Sequence, residues 1–164
     1  MGTVELKAFI EFLKDNLGFV FDVDRFDHRI MLQKYMFLVQ LLDWGGKPYY
    51  YNIYMHGPYS PELAKDYYNL GTYQIGNGRY KAHLPIFNQT KFIQVVQGKG
   101  VDWLEIGATL LSLYNNNVHR MTRAELVPFV FERAKEIKSN FDDRYIANIF
   151  YELEQYGLLR LNSS

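Results

Sequence analysis

The chain has 164 residues with 18 basic and 18 acidic side chains, four histidines and no cysteine, and 17% of it is Phe, Trp or Tyr. That length, with 48% hydrophobic and 22% charged residues, suits one soluble domain able to bury a core. It excludes a disulfide framework, a thiolate metal site and a cysteine nucleophile, and a net charge of zero gives no global attraction to nucleic acid. The 14 tyrosines point to one or more tyrosine-rich contact faces, with a compositional bias of the source as the alternative.

Leu6, Phe9, Ile10, Leu13 and Leu17 recur at helical spacing and Gly18 follows, which predicts a first amphipathic helix. Residues 1–10 carry Glu5 and Lys7 and read as the start of that helix, not as a signal peptide. Asp27 is placed to cap a second helix over residues 28–43, ended by Gly45-Gly46. Its middle, IMLQKYMFLVQLL, is apolar almost all round and so belongs in a domain centre, with Gln33, Lys34 and Gln40 as exceptions.

Residues 49–55 are β-favouring, with Tyr49, Tyr51, Ile53 and Met55 on one face and Tyr50, Asn52 and Tyr54 on the other. Ser60 and Pro61 then form a helix start with Leu63, Ala64, Tyr67 and Leu70 inward. Residues 72–84 read as two β-like runs joined by Gly76-Asn77-Gly78, a hairpin. The remainder is helical: a short helix at Phe92, Ile93 and Val96, and a longer one over residues 101–114. A third opens at the Thr122–Glu125 capping box with Pro128 expected to kink it, and a last one is capped by Asp142. The end, LLRL, reads as a short strand.

The expected fold is mainly α with a small β component, a single domain over residues 1–164. Helix, strand, helix and hairpin over 27–84 follow a winged-helix order, and 90–160 form a helical C-terminal part. In that reading the helix from Pro61 is the recognition helix, with Lys65 and Tyr68 outward, and Arg79 and Lys81 sit on the wing. Residues 67–101 hold four bases, Arg79, Lys81, Lys91 and Lys99, and no acid. Glu62 and Asp66 on the helix oppose a DNA contact, where donors are needed.

Leu32-Gln33-Lys34 on a buried helix, an aromatic strand, and Gly57-Pro58-Tyr59-Ser60 with Leu63 resemble the SocA-like antitoxin (Panacea) domain family. They are equally similar to the related YwgA-like uncharacterised proteins. The similarity covers about residues 27–73 and rests on short motifs. It implies a helical, winged-helix-like domain that acts by binding proteins, a toxin among them, in one case as an adaptor to a protease.

No histidine pair has metal-helix spacing, and Asp22, Asp24 and Asp27 beside His28 are explained by turn and cap roles. Ser60 near His56 suggests a nucleophile and base, but capping accounts for the serine. No enzyme, cofactor or metal is expected, no apolar stretch is long enough for a bilayer, and the chain reads as cytoplasmic. Gln33 and Lys34 either form an exposed stripe or face the Gly-Pro turn and bond its carbonyls. The expected function is a non-enzymatic protein-interaction module with Tyr54, His56, Tyr59, Gln33 and Lys34 at its partner site, and a homodimer as one outcome. The alternative is a DNA-binding regulator using Lys65, Tyr68, Arg79 and Lys81.

Overall fold

A computed structural model describes residues 2–71 and 78–159. Among them are seven α-helices, one two-stranded antiparallel sheet and one 3-10 turn, so the chain is mainly helical with a small β part. None of these helices is long and apolar enough to cross a membrane.

Helix α1 (Gly2–Leu17) buries Leu6, Phe9, Ile10 and Leu13 on one face. It ends where Gly18 takes φ +68, the left-handed conformation that lets the chain reverse. Helix α2 (Phe26–Gln40) runs through the centre and is buried from Leu32 to Val39. It starts earlier than the Asp27 cap predicts. Arg25 is the N-cap residue, and Asp27 lies in the first turn, where its carboxylate pairs with Arg25 at 2.8 Å. There it complements the helix dipole instead of closing the helix end.

Strands β1 (Asn52–Tyr54) and β2 (Gly57–Tyr59) pair antiparallel, Asn52 opposite Tyr59 and Tyr54 opposite Gly57. The predicted alternation holds through this segment: Tyr49 is buried, Tyr51 and Ile53 are half-buried, and Tyr50, Asn52 and Tyr54 face outward. Met55 departs from it at 79% exposure, because Met55 and His56 form the turn. Helix α3 (Pro61–Tyr68) begins as predicted, with Ser60 Oγ accepting from Leu63 N at 3.2 Å and Pro61 in the first turn.

Among the described residues the hairpin is the 52–59 pair. Of the hairpin expected at 72–84, residues 72–77 lie outside the described residues, and Lys81–His83 form a 3-10 turn, not a strand. Lys81 therefore does not ride on a wing strand. This turn packs against α1.

Helix α4 (Gln89–Val96) is capped by Asn88, and α5 (Val101–Asn117) is the second central helix, buried almost all round from Trp103 to Tyr114. It packs on α2, on β2, and on α6 (Arg123–Ile137) and α7 (Asp143–Gln155). Thr122 and Asp142 cap these last helices as expected, and α6 continues without a break across Pro128. The predicted terminal strand finds no partner at Leu158 and Leu159, and 160–164 lie outside the described residues.

Candidate functional site

The β1–β2 turn and the chain on either side of it are held by polar side chains reaching out of the core. Gln33, Phe37 and Gln40 share one stripe of α2, three and four residues apart, and all three meet the 49–60 segment. Gln33 donates from Nε2 to Ser60 O at 2.9 Å and accepts Ser60 N–H at Oε1, also 2.9 Å. Gln40 does the same for Tyr49: it donates to the carbonyl at 3.0 Å and accepts the amide at 2.7 Å. Phe37 meets Tyr51 edge-on between them at 5.3 Å. Each glutamine amide thus replaces one rung of a missing strand.

Lys34 Nζ donates to Pro58 O at 2.8 Å. Lys138, just past the end of α6, donates to Met55 O at 2.7 Å and to Glu105 Oε2 at 3.1 Å. The other oxygen of Glu105 lies 3.2 Å from His56 Nδ1. Thr109 Oγ1 donates to the Glu105 carbonyl at 2.7 Å, one turn back in α5. Gly57 takes φ +90, and a Cβ there would stand 2.6 Å from Thr109 Oγ1 and 3.2 Å from the Glu105 carbonyl. Only glycine meets both conditions.

Gln33, Lys34, Glu105 and Lys138 are each under a tenth exposed. Burial brings Lys34 down to about 7; the Glu105 carboxylate opposes this drop and the Lys138 ammonium adds to it. Burial likewise raises the Tyr67 hydroxyl to about 12, and lifts Tyr49, whose hydroxyl donates to Asp66 at 2.6 Å, well above its ordinary range.

The expectation that Gln33 and Lys34 bond the Gly-Pro turn is met, but as partner-contact residues they are corrected, since both are 1% exposed and their polar atoms are spent inside the fold. His56, which the sequence leaves without a structural role, has one on Glu105 and packs edge-on against Phe26 at 5.2 Å. Tyr54 and Tyr59 meet edge-on at 5.5 Å. Glu105, Thr109 and Lys138 are the members that sequence reasoning missed; each is an ordinary polar residue in or at the end of a helix, far along the chain from the turn, Lys138 standing 83 residues from Met55.

Ser60 and His56 do not form a nucleophile and base, because Ser60 is fully buried as a cap and the His56 ring is turned to Glu105. Asp22, Asp24 and Asp27 hold their own loop: Asp22 N donates to His28 Nδ1 at 3.0 Å and Asp24 N to Asp22 Oδ1 at 2.9 Å. Among the described residues no group of histidine or carboxylate side chains could hold a metal ion.

Outside the clasp lies an exposed aromatic face. Phe26, Tyr54, Met55 and Tyr68 are 56%, 49%, 79% and 59% exposed. The Arg29 guanidinium lies 5.6 Å from the Phe26 ring and 6.0 Å from that of Tyr68, which joins the patch. Beside it is a cavity of about 450 Å³ lined by Ile53, Tyr54, Met55, Leu113, Arg133 and Ile137.

On α3, Glu62 and Asp66 both turn to Lys47, at 2.9 and 3.1 Å, while Lys65 and Tyr68 stay exposed. Arg79 is exposed and lies against the Tyr80 ring, and Lys81 is exposed on the 3-10 turn. Comparison with protein-family models, with curated proteins and with solved structures gave no match for this chain.

Proposed function

We propose that this protein is a non-enzymatic, cytoplasmic protein-interaction module, similar in role to toxin-neutralising antitoxins, and that it binds its partner through the face formed by Phe26, Tyr54, Met55, His56, Tyr59 and Tyr68. The observation that carries this reading is an exposed aromatic and methionine surface around a turn whose backbone is hydrogen-bonded from α2 and from Lys138 at the end of α6, with Glu105 of α5 on the His56 ring. Aromatic residues, Met and Arg are the types enriched at protein interfaces. A turn held in one conformation before binding loses little entropy when a partner docks. The adjoining cavity, with apolar walls and Arg133 at its rim, suits an apolar anchor from the partner.

The test is affinity capture at native expression with the wild-type chain, a Tyr54→Ala, Met55→Ala double variant, and Tyr151→Ala as a distant exposed control. The reading expects one defined protein, retained by wild type and control and lost from the double variant. Recovery of no defined partner, or equal recovery by all three chains, overturns it.

A second reading has one observation in its favour. Both acids of α3, Glu62 and Asp66, are paired with Lys47, so Lys65 and Tyr68 are exposed beside acids whose charge is already met by a cation. A DNA-binding role predicts duplex affinity that falls with salt and with Lys65→Ala, Arg79→Ala and Lys81→Ala. Lack of duplex binding at low salt removes it.

A further inference from the structure

We propose that the cavity between α1 and the Lys81–His83 turn binds an organic cation, a guanidinium or primary ammonium group on a short apolar stem. The cavity, of about 350 Å³, is lined by Ala8, Glu11, Phe12 and Asp15 of α1 and by Lys81 and Leu84 opposite, among others. That is the lower range for small-ligand sites.

Glu11 decides the chemistry. It is 3% exposed, its Oε2 accepts the Tyr80 amide at 3.2 Å, and its Oε1 is buried with no hydrogen-bond partner. A buried carboxylate oxygen without a donor is costly, and in native proteins such a group marks a missing partner. Several cations stand near. Lys7 and Arg79 flank the Tyr80 ring at 5.2 and 5.7 Å, and Lys81 lines the cavity, yet none donates to Oε1. Asp15, one turn along α1 on the same face, adds a second carboxylate at an exposed position. An anionic ligand would meet both acids.

A hard metal ion wants six or more oxygen ligands, and three of the eight lining residues are the apolar Ala8, Phe12 and Leu84, with Lys81 a cation. Those apolar side chains suit the methylene stem of an alkyl cation, and a turn of the buried Glu11 carboxylate toward the cavity lets the ligand's N–H groups supply the donor that Oε1 lacks. The ligand group can come from a free small amine or from a lysine or arginine side chain of another polypeptide.

The experiment is an amide NMR titration of the whole chain with butylguanidinium, with N-acetyl-arginine amide, and with butyrate as the anionic control. Resonances of Glu11, Asp15 and Tyr80 should move with a cationic probe and not with butyrate. A response to butylguanidinium alone assigns the site to free amines; an equal or stronger response to the arginine amide assigns it to a polypeptide side chain. Glu11→Gln should weaken binding about tenfold, the value of a charged hydrogen bond. Asp15→Asn should weaken it about threefold and Lys81→Gln tighten it about threefold, opposite signs at two exposed positions. If Glu11→Gln does not fold, those two variants decide. No response to either cation at millimolar concentration, an equal response to butyrate, or exposed-site variants that shift affinity in the same direction or not at all overturns the proposal. Unchanged affinity in a folded Glu11→Gln chain does so as well.

Discussion

Gln33 and Ser60, 27 residues apart in the chain, exchange two hydrogen bonds of 2.9 Å in a fully buried setting. The side chain of a core helix thereby completes the backbone of the residue that caps the next helix. Replacing Gln33 by Leu keeps the volume, leaves the Ser60 amide buried without a partner, and takes from the Ser60 carbonyl one of its two donors, the other being Ala64 N–H at 3.1 Å. The expected loss is about 2–3 kcal/mol of unfolding free energy in urea denaturation. Gln40→Leu, at the half-buried end of the same stripe, should cost less, about 1 kcal/mol. Equal costs at the two sites would contradict this account.

Gly57→Ala meets both a left-handed backbone and the Thr109 hydroxyl. We expect a loss of about 3 kcal/mol or more, combining φ strain of about 1–2 kcal/mol with displaced packing. Adding Thr109→Ala opens space but leaves the φ strain. The double variant should be less destabilised than the sum of the single ones, measurable as a coupling in thermal denaturation.

Lys34 gives the pH dependence its sign. Its ammonium loses the proton near pH 7 in the fold and near 10.5 in the unfolded chain. Between those values the unfolded chain binds the extra proton, so stability rises with pH across that window and the Lys34 contribution is flat below it. Tyr35 and Tyr67, held up at about 12, act in the opposite sense, stabilising below pH 10 and losing that contribution as pH climbs towards 12. Denaturant midpoints of wild type should increase from pH 7 to about 9.5, and Lys34→Met should flatten that slope whatever its absolute stability.

Glu105 and Lys138 form a buried pair in which Lys138 also serves the Met55 carbonyl. Lys138→Met takes the donor from the Met55 carbonyl and leaves the Glu105 carboxylate with only the His56 ring, and should cost about 3–5 kcal/mol. Adding Glu105→Gln should recover part of that loss. A double variant as unstable as the sum of the two single ones would show that the pair is not coupled.

Much of the helical order is readable from the chain because it depends on local signals: the Ser60-Pro61 start, the Asp142 and Thr122 caps, and the apolar periodicity of α1 and α7. The Gln33–Lys34 contact with the Gly-Pro turn is readable in part: two polar residues on an otherwise apolar helix suit either an exposed stripe or that turn, and the resembled motif, which holds both elements, favours the turn. The 52–59 hairpin is not. Met55-His56 carries no turn chemistry, and β2 contains a glycine and a proline, both poor strand formers. That pairing is imposed by Lys34, Gln33 and Lys138 from outside the strands. Likewise no local feature of Glu105 or Lys138 separates them from surface residues of helices, because their role arises from contacts distant in sequence.

The bond from Lys138 to Met55 spans 83 residues. A chain emerging from the ribosome can form α1 to α3 early, but the β-turn lacks its last anchor until the end of α6 has been made and docked. The face that we assign to partner binding is therefore completed late in synthesis, after most of the core. Recognition by the partner would then report on whether the chain has folded through the end of α6, and products truncated before residue 138 would not present the finished surface.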